Sequence, residues 1–275
     1  MTHADAMSQG TPVSDLPINA PSAPLLSVDG GVATLTLNRP VHRNRLEEGD
    51  LRSLLVQFER INADLAIRVL VLTANTQGQP RPVFCAGYHM GSFSDQGSDP
   101  QLFERVANAL AALRPVTVCA LNGSVYGGAT DLMLACDLSV GLTGTEFRMP
   151  ATALGLHYYP GGLQRYVARL GLSGAKRAFL SARPFTAEML QRMGCFEALV
   201  GPDDFGATVR QLVSEIAGLA PLAVQTTKQS INEIAAGQPD LAAMRSREAL
   251  TSASLDFAEG RQAFQDKRQP RFTGR

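Results

Sequence analysis

The sequence predicts a mixed α/β fold with a parallel sheet, followed by a helical C-terminal region. Strand-like apolar runs alternate with helical patterns up to about residue 202, and no strand-like run follows Asp203. This alternation favours parallel strands joined by right-handed crossovers, and 275 residues with 45% hydrophobic content can bury one large core. We therefore divide the chain into a flexible tail (1–24), an α/β core (25–202) and a helical region (203–275).

The first elements are assigned from composition and periodicity. Residues 1–24 are rich in Pro, Ser, Ala and Asn without apolar periodicity, which predicts a flexible tail. Two β-type runs in 25–40 flank Asp29-Gly30-Gly31 and predict a hairpin that Pro40 closes. Helical spacing of apolar residues then predicts a helix over 46–62, and the continuous apolar run 67–74 predicts a buried parallel strand.

The order of helix and strand repeats downstream. A helical pattern from about 100 to 113 precedes a strand at 116–121, and a glycine-rich turn leads into a helix from about Gly128 and a strand at 137–140. After residue 203 only helical patterns remain, up to residue 268. Their apolar residues exceed what a small appendage can bury, which predicts packing on another subunit.

Composition narrows the classes of partner. Lys+Arg and Asp+Glu number 25 each, which argues against nucleic acid or a membrane and favours a small-molecule partner. The sequence has no apolar run of bilayer length and no signal-peptide pattern at its start, so we expect a cytoplasmic protein. Four scattered cysteines without CxxC spacing are expected to be structural thiols, not metal ligands or disulfides: Cys85, Cys119, Cys136 and Cys195.

Two glycine-containing segments carry the candidate chemistry. In FCAGYHM (84–90), Gly87 permits a close turn that aims the next amide N–H into a cavity. In NGSVYGGATD (122–131), glycines at a helix start expose amides where the helix dipole favours an oxyanion. Asp131 lies three residues beyond Gly128, so its carboxylate either stands near the bound group or stabilises the helix start.

Together these segments resemble the paired oxyanion-hole signature of the crotonase (enoyl-CoA hydratase/isomerase) superfamily. Other pieces match in the family's order: LNRP (37–40), VLVLTA (69–74), ACDLSV (135–140), LGL (154–156) and the terminal GRQAFQDKRQPRF (260–272). The resemblance implies a crotonase-like spiral of ββα repeats with a C-terminal α-helical trimerisation region. It also implies an acyl-CoA ligand and a homotrimer or dimer of trimers.

The resemblance assigns roles by position. The N–H groups of Tyr88 and Gly128 would hold the thioester oxygen, and Ala86 and Gly87 would line the substrate site. Phe264 and Lys267 resemble the terminal segment that reaches the CoA moiety in the family, although a solvated helix end explains them equally well.

The chain departs from the family pattern at the two positions that carry the catalytic glutamates of hydratases, and this affects which reaction we expect. Hydratases of the family use two glutamates, whereas this chain has Asp131 at the first position and Ala151 at the second. Alanine can neither activate water nor deliver a proton, which counts against simple hydration. The segment 149–166 resembles methylmalonyl-CoA decarboxylases, in which a tyrosine at the position of Tyr158 contacts the departing carboxylate; the neighbouring Tyr159 is assigned to substrate binding.

Three functions therefore stay open. The first is decarboxylation of a malonyl-type thioester, with the enolate oxygen on the amides of Tyr88 and Gly128, Tyr158 on the carboxylate and Asp131 positioning the acyl group. The second is an enoyl-CoA hydratase or isomerase with Asp131 as the single carboxylate. The third is an acyl-CoA-binding subunit without catalysis. None of them requires a metal or organic cofactor.

Overall fold

The computed structural model describes residues 23–88 and 99–275. The predicted tail (1–24) therefore lies outside the described residues except for its last two. Ala23 is buried, and the Pro24 carbonyl accepts a hydrogen bond from the Gln57 side chain at 2.8 Å. These two residues are thus part of the packed body.

Ten strands and nine α-helices form within the described ranges. The strands are β1 (Leu25–Asp29), β2 (Val32–Leu37), β3 (Val69–Ala74), β4 (Val83–Cys85), β5 (Val116–Leu121), β6 (Ser124–Tyr126), β7 (Leu138–Leu142), β8 (Glu146–Arg148), β9 (Phe185–Thr186) and β10 (Ala198–Val200). The helices are α1 (Glu48–Ala63), α2 (Leu102–Ala111), α3 (Ala129–Ala135), α4 (Pro160–Lys176), α5 (Ala187–Arg192), α6 (Pro202–Ala217), α7 (Pro221–Ala235), α8 (Leu241–Ser252) and α9 (Leu255–Asp266).

The larger sheet has six strands in the order β1-β2-β3-β5-β7-β10. Strands β1 and β2 form the predicted antiparallel hairpin, and both turn glycines have positive φ, 53° at Gly30 and 86° at Gly31. The strands predicted at 67–74, 116–121 and 137–140 pair in parallel, which confirms the α/β fold class. Helices occupy the chain between them, as the apolar periodicity predicted.

Both faces of this sheet are covered. One face contributes Leu35 and Leu72 to the main core, where they join Leu54 of α1. On the other face, Val71 and Val118 join a second cluster with Val213 of α6. Helix α6 is therefore a layer of the α/β body, although it begins at the boundary predicted for the helical region.

A second sheet, which the sequence did not predict, carries the candidate site. Its four short strands have the order β4-β6-β8-β9. Strands β4 and β6 pair in parallel, so their carboxyl ends emerge side by side. Gly87 and Gly127 lie just after these ends, which explains how residues 40 positions apart come together.

The remaining helices agree with the helical region predicted after residue 203. Helices α7 and α8 contain no buried residue in the single chain, and Leu241 and Leu255 are 73% and 66% exposed. The last residues fold back on α9, where the buried Asp256 carboxylate accepts backbone N–H bonds from Thr273 and Gly274 at 2.7 and 2.8 Å. Of the part of the chain that the structure describes, no helix is both long and apolar enough to cross a bilayer.

Candidate active site

The two glycine-containing segments touch each other through glycine backbone. Gly87 has φ +97°, and a Cβ atom built on it would lie 2.9 Å from the Tyr126 carbonyl oxygen and 3.5 Å from the Gly127 Cα. Only glycine allows both this backbone conformation and this approach without strain. We call the backbone N–H groups of Tyr88 and Gly128, which follow the contacting glycines, the two-amide site.

A loop before α1 holds the first segment in place. The Ala86 N–H donates to the Arg43 carbonyl, and the Leu46 N–H donates to the Gly87 carbonyl, both at 2.9 Å. Asn44 between them is 1% exposed, and its side-chain amide donates to the Val83 carbonyl at 3.2 Å. The turn at Gly87 is therefore hydrogen-bonded on both sides, and the direction of the Tyr88 amide is fixed by this loop.

Cys85 belongs to the same support. Its thiol is fully buried and lies 2.9 Å from the Asn44 carbonyl oxygen, to which it donates. Burial raises the pKa of this thiol to about 12. A neutral buried thiol is a poor nucleophile, so Cys85 is structural, in line with the expectation for the cysteines.

The second segment is held in place by a backbone hydrogen bond at Gly127. The Gly127 N–H donates to the Arg148 carbonyl at 2.9 Å. The Gly128 N–H has no acceptor within residues 23–88 and 99–275. A Cβ atom on Gly128 would lie 2.7 Å from the Phe103 ring, whose centroid is 6.0 Å from that of Tyr88. Glycine at 128 thus leaves room for this aromatic neighbour.

Asp131 is fully buried in the first turn of α3, and both of its carboxylate oxygens accept hydrogen bonds. Arg165 of α4 donates from Nε to Oδ1 at 2.9 Å and from Nη2 to Oδ2 at 2.6 Å. The Tyr159 hydroxyl donates to Oδ2 at 2.5 Å, and Asn108 accepts a bond from Arg165 Nη1 at 2.7 Å. This bidentate ion pair was not anticipated from the sequence, because Arg165 is 34 residues away in an amphipathic helix.

Tyr158 and Tyr159 form a stacked pair beside this carboxylate. Their ring centroids are 4.2 Å apart, and the Tyr158 hydroxyl donates to the Tyr159 oxygen at 3.0 Å. Tyr158 is 6% exposed and packs on Phe179, whereas Tyr159 is half-buried and faces Phe103. The hydroxyl of Tyr158 thus donates to Tyr159, and the hydroxyl of Tyr159 donates to the Asp131 carboxylate, so the two hydrogen bonds run in one direction.

Both tyrosines stay protonated in the neutral range. Burial, reinforced by the negative charge of Asp131, raises the pKa of Tyr158 and of Tyr159 above the ordinary value. For Arg165, burial opposes the charge, but the hydrogen bonds and attraction of Asp131 prevail and raise its pKa. The site can therefore offer neutral hydroxyl donors next to an internally neutralised ion pair.

Three other predicted positions add no functional group to this cluster within the single chain. Ala151 is buried and brings no functional group to the second glutamate position. Phe264 is 86% exposed and lines a 590 Å³ cavity between the last helices with Phe257 and Phe272, and no described residue of the two glycine-containing segments lines this cavity. Lys267 ends α9 in the left-handed conformation, φ 54°. A single chain therefore does not join these two residues to the two-amide site.

Comparison with known proteins settles the family. A family model described as enoyl-CoA hydratase/isomerase matches residues 27–275. The chain belongs to this family. It is 33% identical to 2,3-dehydroadipyl-CoA hydratase of Escherichia coli (strain K12), over 89% of this chain and 96% of that protein.

Solved structures agree with this membership of the crotonase superfamily. DspI of Pseudomonas aeruginosa superposes with a TM-score of 0.83 at 28% identity, over 94% of this chain and 99% of that one. An enoyl-CoA hydratase from Bacillus anthracis gives a TM-score of 0.81 at 25% identity, over 92% and 99%. The crotonase-like spiral that the sequence motifs implied is confirmed. The chain is accordingly an acyl-CoA enzyme of the enoyl-CoA hydratase/isomerase family.

Proposed function

We propose that this member of the family decarboxylates a malonyl-type CoA thioester. The proposal is supported by the finding that neither of the family's two glutamate positions offers an accessible carboxylate. Asp131 is fully buried with both oxygens hydrogen-bonded, and the second glutamate position is Ala151. Decarboxylation is the enolate-forming reaction that needs no base, because carbon dioxide leaves in place of a proton.

In the proposed decarboxylation, the two-amide site stabilises the enolate oxygen, and a separate hydroxyl donor binds the substrate carboxylate. As the bond between Cα and the carboxylate breaks, its electron pair moves into the thioester, and the N–H groups of Tyr88 and Gly128 stabilise the enolate oxygen. The enolate carbon then takes a proton from water. The chemistry draws only on amide and hydroxyl donors, so the proposal includes neither metal nor organic cofactor.

Tyr158 is the donor proposed for the substrate carboxylate. Its bond to Tyr159 is neutral and 3.0 Å long, whereas the Tyr159 bond to Asp131 is charge-assisted and 2.5 Å long. Rotating the Tyr158 hydroxyl toward a substrate carboxylate therefore exchanges a neutral bond for a charge-assisted one. Asp131 and Arg165 keep Tyr159 in place during this change.

A second candidate, an enoyl-CoA hydratase or isomerase, is favoured by the name of the Escherichia coli relative, a hydratase. The matching family model is described as enoyl-CoA hydratase/isomerase, and neither the Escherichia coli relative nor the two solved structures are named as decarboxylases. In this alternative Tyr159 takes a proton from the substrate while its own proton moves to Asp131, so that one carboxylate acts through a hydroxyl. The relay needs Tyr159 and leaves Tyr158 as a neighbour.

Paired phenylalanine variants separate the two reactions. We expect Tyr158→Phe to lower kcat on malonyl- or methylmalonyl-CoA by about ten- to a hundredfold, the effect of one hydrogen bond to a charged group, and Tyr159→Phe to lower it less. The relay predicts the reverse order on enoyl-CoA substrates. Each variant is assayed for carbon dioxide release and for loss of the enoyl chromophore.

Each variant is the control of the other, since both keep the aromatic ring and both keep Asp131 paired with Arg165. Release of carbon dioxide by the wild type with equal rates in both variants would contradict the role of Tyr158. A wild type that binds CoA thioesters but turns over neither type would reject both reactions in favour of the binding-subunit hypothesis.

We also propose that the active form is a trimer or a dimer of trimers. Support comes from α7 and α8, which bury no residue within the chain, and from exposed apolar side chains on α8 and α9. Sedimentation velocity at micromolar concentration is expected to give a species of three or six chains. A monomer that is fully active at that concentration would contradict this assembly.

A further inference from the structure

We propose that Thr130 and Tyr166 are positioning residues, which orient the Gly128 N–H through the carbonyl group of its own peptide. This inference rests on the proposed use of that N–H to hold a thioester oxygen. It concerns two side chains that do not belong to the two-amide site and that the sequence analysis did not single out.

The Gly127 carbonyl and the Gly128 N–H belong to one peptide group. The Gly127 C=O and the Gly128 N–H share a rigid plane and point in opposite directions. Gly127 has φ +56°, a conformation that a glycine reaches and leaves easily. Without further contacts the direction of the Gly128 N–H would follow every rotation at this flexible residue.

Two hydrogen bonds hold the carbonyl end of this peptide. The Thr130 hydroxyl donates to the Gly127 oxygen at 2.6 Å, and the Thr130 backbone N–H donates to the same oxygen at 3.0 Å. Helix α3 has only seven residues, so its dipole contributes little to this orientation. The side chain of Thr130 is therefore a main constraint on the direction of the Gly128 N–H.

Tyr166 extends the series behind Thr130. Its hydroxyl forms a short hydrogen bond with the Thr130 hydroxyl. Because the Thr130 proton is committed to the Gly127 carbonyl, Tyr166 is the donor in this bond. Both side chains are 0% exposed, so water does not compete with either bond. Hydrogen bonds in series polarise one another, and a polarised carbonyl makes the N–H of the same peptide a stronger donor.

The arrangement also explains two buried polar groups that the proposed reaction does not otherwise use. Tyr166 is among the largest fully buried side chains, and it contacts Phe147 and Phe179, at centroid distances of 5.9 and 4.7 Å. A hydroxyl in such apolar surroundings is unfavourable unless it is hydrogen-bonded. Here its partner is the residue that holds the Gly127 carbonyl.

The experiment reads the carbonyl bond of a bound thioester by infrared spectroscopy. Acetyl-CoA with ¹³C at the thioester carbonyl has neither a carboxylate to lose nor a double bond, so it is inert in every reaction considered above. At saturation, the wild type is expected to shift the carbonyl stretch to lower wavenumber. Thr130→Val should reduce this shift and lower kcat by about three- to tenfold, Tyr166→Phe should have a smaller effect, and Thr130→Ser should restore both values.

Thr145→Val is the matched control. The Thr145 hydroxyl is also buried and donates at 2.7 Å to a carbonyl three residues earlier, that of Leu142, away from the two-amide site. This variant should lose thermal stability to a similar extent and keep the wild-type carbonyl shift. The comparison separates positioning of the amide from a purely structural role of a buried threonine.

The possible outcomes are distinct. A folded Thr130→Val protein with the wild-type carbonyl shift and kcat overturns the inference. The absence of any shift in the wild type overturns the inference together with the two-amide site. A reduced shift in Thr130→Val, in a protein whose wild type turns over no thioester, supports the inference and rejects the proposed reaction.

Discussion

Gly128→Pro is expected to lower kcat by about 10²- to 10³-fold relative to Gly128→Ala, because proline lacks the N–H that would hold the thioester oxygen. The backbone accepts proline here, since Gly128 has φ −55° and ψ −30°. Its N–H has no acceptor in the described part of the chain, so proline removes no hydrogen bond among those residues. Steady-state kinetics of both variants on the substrate of the wild type measures the difference.

Alanine is the appropriate reference for this experiment. Both substitutions add a Cβ atom that would lie 2.7 Å from the Phe103 ring, so both require the same displacement of that ring. Only proline also removes the amide hydrogen. Equal kcat values for the two variants would contradict the assignment of this amide, even if both were far below the wild type.

The large parallel sheet could be predicted because its strands have strong local signals. The runs 67–74 and 116–121 are mostly apolar, as is typical of strands covered on both faces, and glycines mark the hairpin turn. Strands β4, β6, β8 and β9 have only two or three residues each. Two or three residues cannot display an alternating pattern, so the second sheet left no recognisable signal in the sequence.

The candidate site could be located from the sequence, but its internal contacts could not. The glycines at 87 and 127 indicated close backbone approach, and the structure brings them into contact. The ion pair of Asp131 with Arg165 could not be predicted, because a charged residue in an amphipathic helix usually faces solvent. Likewise, Tyr158 and Tyr159 could be placed near the site, while which of them is buried depends on the packing of Phe179 and Phe103.

The ion pair of Asp131 changes how a substitution at this position must be interpreted. We expect Asp131→Asn to lower the free energy of unfolding by about 3 to 5 kcal/mol, because it leaves the largely buried Arg165 guanidinium without its counter-charge. Arg165→Met should lower the free energy of unfolding by a similar amount, because it leaves the buried Asp131 carboxylate without its cation. Denaturant unfolding of the purified variants, monitored by circular dichroism, measures both losses.

The double variant Asp131→Asn/Arg165→Met tests whether these losses come from the pair. Since it buries no unpaired charge, it should lose much less stability than the sum of the single variants, and the shortfall is the coupling energy. Turnover by the double variant then distinguishes a structural role of Asp131 from a direct role in proton transfer. A double variant that recovers stability and also turns over substrate would show that the carboxylate acts only by holding Tyr159. An Asp131→Asn protein of wild-type stability without turnover would instead contradict the structural role and favour Asp131 as a proton acceptor, as the hydratase or isomerase alternative requires.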